Sequence, residues 1–178
     1  MDRRDFIRST GSVLVGASLA GAGATLARTG NKSARPSQRQ NLPINRGWRF
    51  SRTNSTNGHA KDFDDSHFER IAVPHSTVRS PWHFLDEKSY EGTSLYRRSL
   101  NIPTNLDGRR VFVDFEGVMT ASTVWLNGIR LGEYKGGYTP FSFELTSHVS
   151  PGGKNILAVE VDSTERPDIP PFGGEVDY

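Results

Sequence analysis

Two kinds of side chain in this sequence are placed where they could do chemistry: carboxylates on strand-like segments and aromatic rings near turns. Cleavage of a glycosidic bond uses two carboxylates across the scissile bond, one as acid and one as base or nucleophile. Glu116 in "RRVFVDFEGV" and Glu144 in "PFSFEL" fall in the polar phase of alternating segments, so both read as solvent-side strand residues and not as such a pair. Asp62, Asp64 and Asp65 in "DFDDSHF" have the carboxylate density of a calcium loop, but the glycine and closing glutamate of an EF-hand are missing, and a turn before a strand fits better. His75-Ser76 offers a base beside a hydroxyl, yet no nucleophile-elbow glycines accompany it, which favours a loop entry. His59, His67, His83 and His148 stand at no metal-ligand spacing, and no cofactor is expected. Trp48, Trp82, Trp125, Tyr134 and Tyr138 could stack on the apolar face of a pyranose. Trp48 shares strand spacing with Phe50 and reads as core; Trp125 and Tyr138 stand open between core and sugar platform.

The segments that must position these residues are almost all strands. "RRVFVDFEGV" alternates Val111, Val113 and Phe115 against Phe112, Asp114 and Glu116. "NILAVEVDS" sets Leu157, Val159 and Val161 against Ile156, Ala158 and Glu160, and "PFSFEL" sets Phe141, Phe143 and Leu145 against Ser142 and Glu144. In "STVWLNGIRLGEY" two apolar segments flank Asn127-Gly128, the pair suited to a type I′ hairpin because both central residues need positive φ. Sustained helical periodicity is missing after the first 27 residues. Short strands between turn clusters predict an all-β, antiparallel sandwich over residues 42–178.

The first 27 residues read differently. "MDRRDFIRSTGSVLVGASLAGAGATLA" sets Arg3-Arg4 before a mildly apolar Gly/Ala-rich run ending in small residues, the layout of a bacterial twin-arginine signal peptide and too short and polar to span a bilayer. Export to the periplasm or beyond is the expectation, with cleavage after Ala27. A chain exported already folded needs no disulfides, and the sequence has no cysteine. "RTGNKSARPSQRQN", residues 28–41, lacks apolar periodicity and reads as a disordered linker. The excess of bases belongs to this end: 22 Lys and Arg oppose 20 Asp and Glu overall, but from Gly47 onward there are 14 bases and 18 acids. A folded part near −4 carries no electrostatic footprint for nucleic acid.

Taken together, "INRGWRF", "FDDSHFERIAVPHS", "LYRRSLNIP", "FEGV", "WLNG", "GGYTPFSFELT" and "NILAVEVDSTERPDIPPFGGEVDY" stand in the order found in glycoside hydrolase family 2, and residues 44–178 resemble the N-terminal sugar-binding domain of that family. The resemblance implies a jelly-roll sandwich that packs against an immunoglobulin-like domain and a TIM barrel. It also implies retaining β-galactosidase, β-glucuronidase or β-mannosidase activity whose two catalytic glutamates lie on the barrel, so none of the catalytic residues is expected in this chain. The "VDSTERPDIPPFGGEVDY" stretch is most similar to the β-galactosidase branch. It places one substrate-binding residue, Asp177, whose family counterpart reaches a sugar hydroxyl at the mouth of the barrel. In the family this loop runs on into a further strand, so the chain is expected to stop a few residues short of closing its sandwich. A stand-alone carbohydrate-binding module and a structural interaction sandwich remain alternatives. Glycan binding by the isolated chain would mark the first, and a polypeptide partner without glycan binding the second.

Overall fold

The computed structural model describes residues 39–77 and 90–169. The twin-arginine segment, most of the linker, Trp82, His83 and Asp177 lie outside the described residues. Eight strands run in chain order: β1 (Arg46–Ser51), β2 (Glu69–Ala72), β3 (Thr93–Asn101), β4 (Phe112–Phe115), β5 (Ala121–Leu126), β6 (Ile129–Lys135), β7 (Phe141–Glu144) and β8 (Lys154–Asp162). Among the described residues there is no helix. Six strands form one sheet in the order β2-β1-β3-β8-β5-β6, and β4 and β7 form a second. All pairings are antiparallel, which gives the sandwich that the alternation predicts and agrees with the jelly roll that the family resemblance implies.

The inner faces carry the expected apolar phase. Val124 and Leu126 of β5 and Leu157, Val159 and Val161 of β8 meet Val113 of β4 and Phe141 of β7, with Trp48, Phe50, Tyr96 and Leu100 extending the same core. Trp48 is buried and its indole Nε1–H donates to the Ile44 carbonyl at 2.7 Å, so its polar edge is satisfied inside. Gly132 lets the sheets approach. A β-carbon there would lie 2.4 Å from Cε1 of Phe143, so a side chain could enter only if the ring moved.

β8 is the central strand and is buried on both faces. It pairs with β3 from Thr93↔Asp162 to Asn101↔Lys154 and with β5 from Ala121↔Asp162 to Leu126↔Leu157. Its outward residues Ile156 and Ala158 are as buried as its inward ones, and residues 58–65 fold over the outside of the large sheet at Arg97 and Trp125, the two neighbours of Ala158. Arg97 of β3, 1 % exposed, fixes that cover. Its Nε donates to Asp65 Oδ2 at 2.9 Å, and its other nitrogens donate to the carbonyls of Gly58, Ala60 (3.0 Å) and Phe63 (3.4 Å). A guanidinium suits this position because its planar fork can satisfy a carboxylate and several carbonyls together. The cover also stacks His59 on Trp125, with ring centroids 5.2 Å apart.

The hairpin forms as its sequence predicts, with positive φ at Asn127 (54°) and Gly128 (85°). Asn127 does more than turn. Its side chain accepts from the Ile156 amide at 2.9 Å and donates to the His148 carbonyl and to Asn155 Oδ1. Asn155, fully buried in the inward phase of β8, donates to the Ser150 and Gly153 carbonyls and also accepts from the Ser150 amide at 2.7 Å. All of its hydrogen-bonding capacity is used.

Candidate functional site

At the end of the sandwich where β6 passes to β7, Lys135, Gly136, Gly137, Tyr138 and Thr139 line an open cleft of about 400 Å³ together with Asp168 and Ile169. The loop is anchored at both ends by stacked rings. Tyr134 lies against Phe141 at 4.1 Å with 15° between planes, and Phe141 stacks on Phe115 at 4.9 Å. The hydroxyls of Tyr134 and Thr139 are hydrogen-bonded across the loop. The Gly136 amide donates to the Thr120 carbonyl at 2.8 Å, and Gly136 sits at φ 142°, where a side chain would strain the backbone. A β-carbon at Gly137 would come within 3.0 Å of Met119 Cγ, so the small residues let the loop lie close to the sandwich. Tyr138 is displayed on this support. It is 54 % exposed and has no aromatic neighbour among the described residues.

The opposite wall follows β8. Ser163 Oγ donates to the Tyr90 carbonyl at 2.6 Å and lies 3.1 Å from that of Gly92. Burial pushes the Asp162 carboxyl up, but hydrogen bonds from Thr164 and Arg166 outweigh it and hold the group below its ordinary value. The paired Asp162 and Arg166 fix the exit from the strand, and a turn from the Arg166 carbonyl to the Ile169 amide (3.1 Å) buries Ile169 and leaves Asp168 exposed. Lys135 stands on the loop side, 3.4 Å from Glu133. The cleft thus presents one aromatic face and the Asp168 carboxylate, with the Lys135 ammonium and the Thr139 hydroxyl already paired to Glu133 and Tyr134.

The other candidate residues take structural places. Glu116 is exposed one residue beyond β4, so it ends the strand and does not lie within it. Glu144 is exposed on β7 and paired with Arg110, with Arg110 Nε to Oε1 at 2.9 Å. Hydrogen bonds from Arg110 and Thr146 lower its pKa to about 2, which leaves it a poor proton donor near neutral pH. Of the aspartates in "DFDDSHF", Asp65 is the partner of Arg97 and Asp64 accepts from the Ser66 amide at 2.9 Å, which also lowers its pKa. Among the described residues no group of three His, Asp or Glu could hold a metal ion. His75 Nδ1 is 3.1 Å from the Tyr96 hydroxyl, and its ring packs on Phe50 at 4.6 Å. Trp125 is half-buried under His59, which answers its open reading: it belongs to the packing of the outer face. Lys135, Thr139 and Asp168 were not distinguished by sequence pattern. Their only mark is proximity to "GGYTP" and to the turn residues after β8.

These features define a jelly-roll sandwich domain with a small polar and aromatic cleft at one end. The sequence model of the glycosyl hydrolases family 2 sugar binding domain matches residues 40–167, so the chain belongs to that family. It is 40 % identical over 138 residues to a β-galactosidase of Thermoanaerobacter pseudethanolicus, a stretch covering 77 % of this chain and 19 % of the relative. It is 42 % identical over 142 residues to a β-galactosidase of Thermoanaerobacterium thermosulfurigenes, covering 79 % and 20 %. The crystal structure of a Bacteroides uniformis β-glucuronidase superimposes with a TM-score of 0.68 at 35 % identity, covering 79 % of this chain and 16 % of that one. The chain therefore spans about a fifth of the length of the curated relatives it matches.

Proposed function

We propose that this chain is the sugar-binding domain of an exported, retaining β-galactosidase whose acid and nucleophile are supplied by a barrel domain of the same polypeptide. The observation that carries the choice of sugar is the identity of 40 % and 42 % to two β-galactosidases, against 35 % to the Bacteroides uniformis β-glucuronidase and 30 % to a β-glucuronidase of Formosa agariphila. The immunoglobulin-like and barrel domains are its partners and a β-linked galactoside its substrate. In this reading Asp177, beyond the described residues, accepts a hydrogen bond from a sugar hydroxyl at the barrel mouth.

Joining this chain, in place of the native N-terminal domain, to the remaining domains of a family β-galactosidase and, separately, of a family β-glucuronidase tests the reading. The β-galactosidase chimera is expected to hydrolyse its aryl glycoside and the β-glucuronidase chimera to turn over poorly. A hydrogen bond to a charged group is worth roughly 1.5–3 kcal/mol, so Asp177→Ala should lower kcat/KM by about ten- to a hundred-fold. Equal kcat/KM with and without the substitution would remove Asp177 from the site, and a chain that restores turnover only with the β-glucuronidase domains would overturn the choice of sugar.

A further inference from the structure

We infer that the cleft between the 135–139 loop and Asp168 is a pyranose-binding subsite in its own right, separate from Asp177, in which Tyr138 supplies the stacking face. Three observations carry it. Tyr138 is a large aromatic ring left 54 % exposed on the lining of the cleft, so its face is accessible to a ligand. The loop bearing it is held from both ends by the Tyr134–Phe141–Phe115 stack and by the Gly136 bond to Thr120, so the ring is presented from fixed backbone and loses little freedom on binding. Groups able to exchange hydrogen bonds with hydroxyls line the same opening: the Asp168 carboxylate is an acceptor, and the Lys135 ammonium, 3.4 Å from Glu133, keeps further N–H donors.

The chemistry selects the ligand class. The C–H face of a β-pyranose is apolar and matches the ring, while its equatorial hydroxyls point outward to a carboxylate and an ammonium. A phosphate would meet Asp168 as repulsion, and an apolar ligand would cover the Asp168 carboxylate without giving it a donor. The cleft is open, so it holds one sugar weakly. A subsite of this kind suits an outer residue of an oligosaccharide or a carbohydrate surface better than the bond being cleaved.

The inference rests on the assignment of the chain to a sugar-binding domain, but not on which glycoside the complete enzyme cleaves. Saturation-transfer NMR on the full 178-residue chain with methyl β-galactopyranoside and methyl β-glucopyranoside tests it. The expected result is saturable transfer concentrated on the protons of the sugar's apolar face, with Kd in the millimolar range. Tyr138→Ala should weaken it about ten-fold, the size expected for loss of one ring contact. Tyr138→Phe should retain it and Asp168→Asn should weaken it, all with unchanged melting because Tyr138 and Asp168 are exposed. No saturable transfer from the unmodified chain, or transfer undiminished in Tyr138→Ala, overturns the subsite. Either result leaves the glycosidase reading intact, because that reading is decided by turnover in the joined enzyme.

Discussion

Asn155 shows how a single polar residue can hold the interior of this sandwich. It occupies an inward position of β8 in phase with Leu157, Val159 and Val161, where an apolar residue would be expected, and it bonds Asn127, Ser150 and Gly153. Asn155→Ala removes those partners at once and leaves the Asn127 side-chain amide and the half-buried Ser150 backbone amide short of a partner, while Gly153 is exposed and can turn to water. Each such group costs about 1–3 kcal/mol, so the variant should lose about 3 kcal/mol in a denaturant melt, and a loss below about 1 kcal/mol would show that water replaces the amide. Ser122 provides the contrast. Its hydroxyl is buried with no hydrogen-bond partner among the described residues, so Ser122→Ala should be neutral or slightly stabilising in the same experiment.

At the scale of elements, the cover formed by residues 58–65 depends on one cation. Arg97 is fully enclosed whereas Asp65 remains 27 % exposed, so removing the arginine strands buried carbonyls and leaves a carboxylate that can rehydrate. Arg97→Met should cost about 2–4 kcal/mol and raise amide exchange first in the 55–68 segment. Unchanged exchange there would mean that apolar contacts alone hold the cover. The strands themselves were legible from alternation, since Val113, Phe141, Leu157 and Val159 point inward as their spacing dictates. The Asn127-Gly128 turn was legible because positive φ at two successive residues is chemically demanding. Arg97 was not, because period-two alternation assigns a residue to a face but does not say whether a distant loop will cover that face. The cleft was only half legible for the same reason. Tyr138 could be named from its type, but Asp168 meets it through the fold and not through spacing.

For the whole molecule, the leader remains an expectation of the sequence. Changing both Arg3 and Arg4 to lysine should stop export and leave folded precursor inside the cell, because a receptor reads the arginine pair and charge alone does not replace it. Cell fractionation decides, and undiminished export of the double variant would remove the twin-arginine assignment. The sheet order sets the timing of folding. β1 and β3 lie on one side of β8, and β5 and β6 on the other, so the two halves of the large sheet have no direct pairing with each other. During synthesis at about 5–20 residues per second, β3 must wait with an unpaired edge until the chain reaches Asp162, its partner opposite Thr93. Long-range pairing of this kind is slow and leaves strand edges open to other chains. The open β3 edge is thus exposed while the chain grows from Asn101 to Asp162, and a folding helper would serve the nascent domain best by shielding β3 and β5 until β8 closes the sheet.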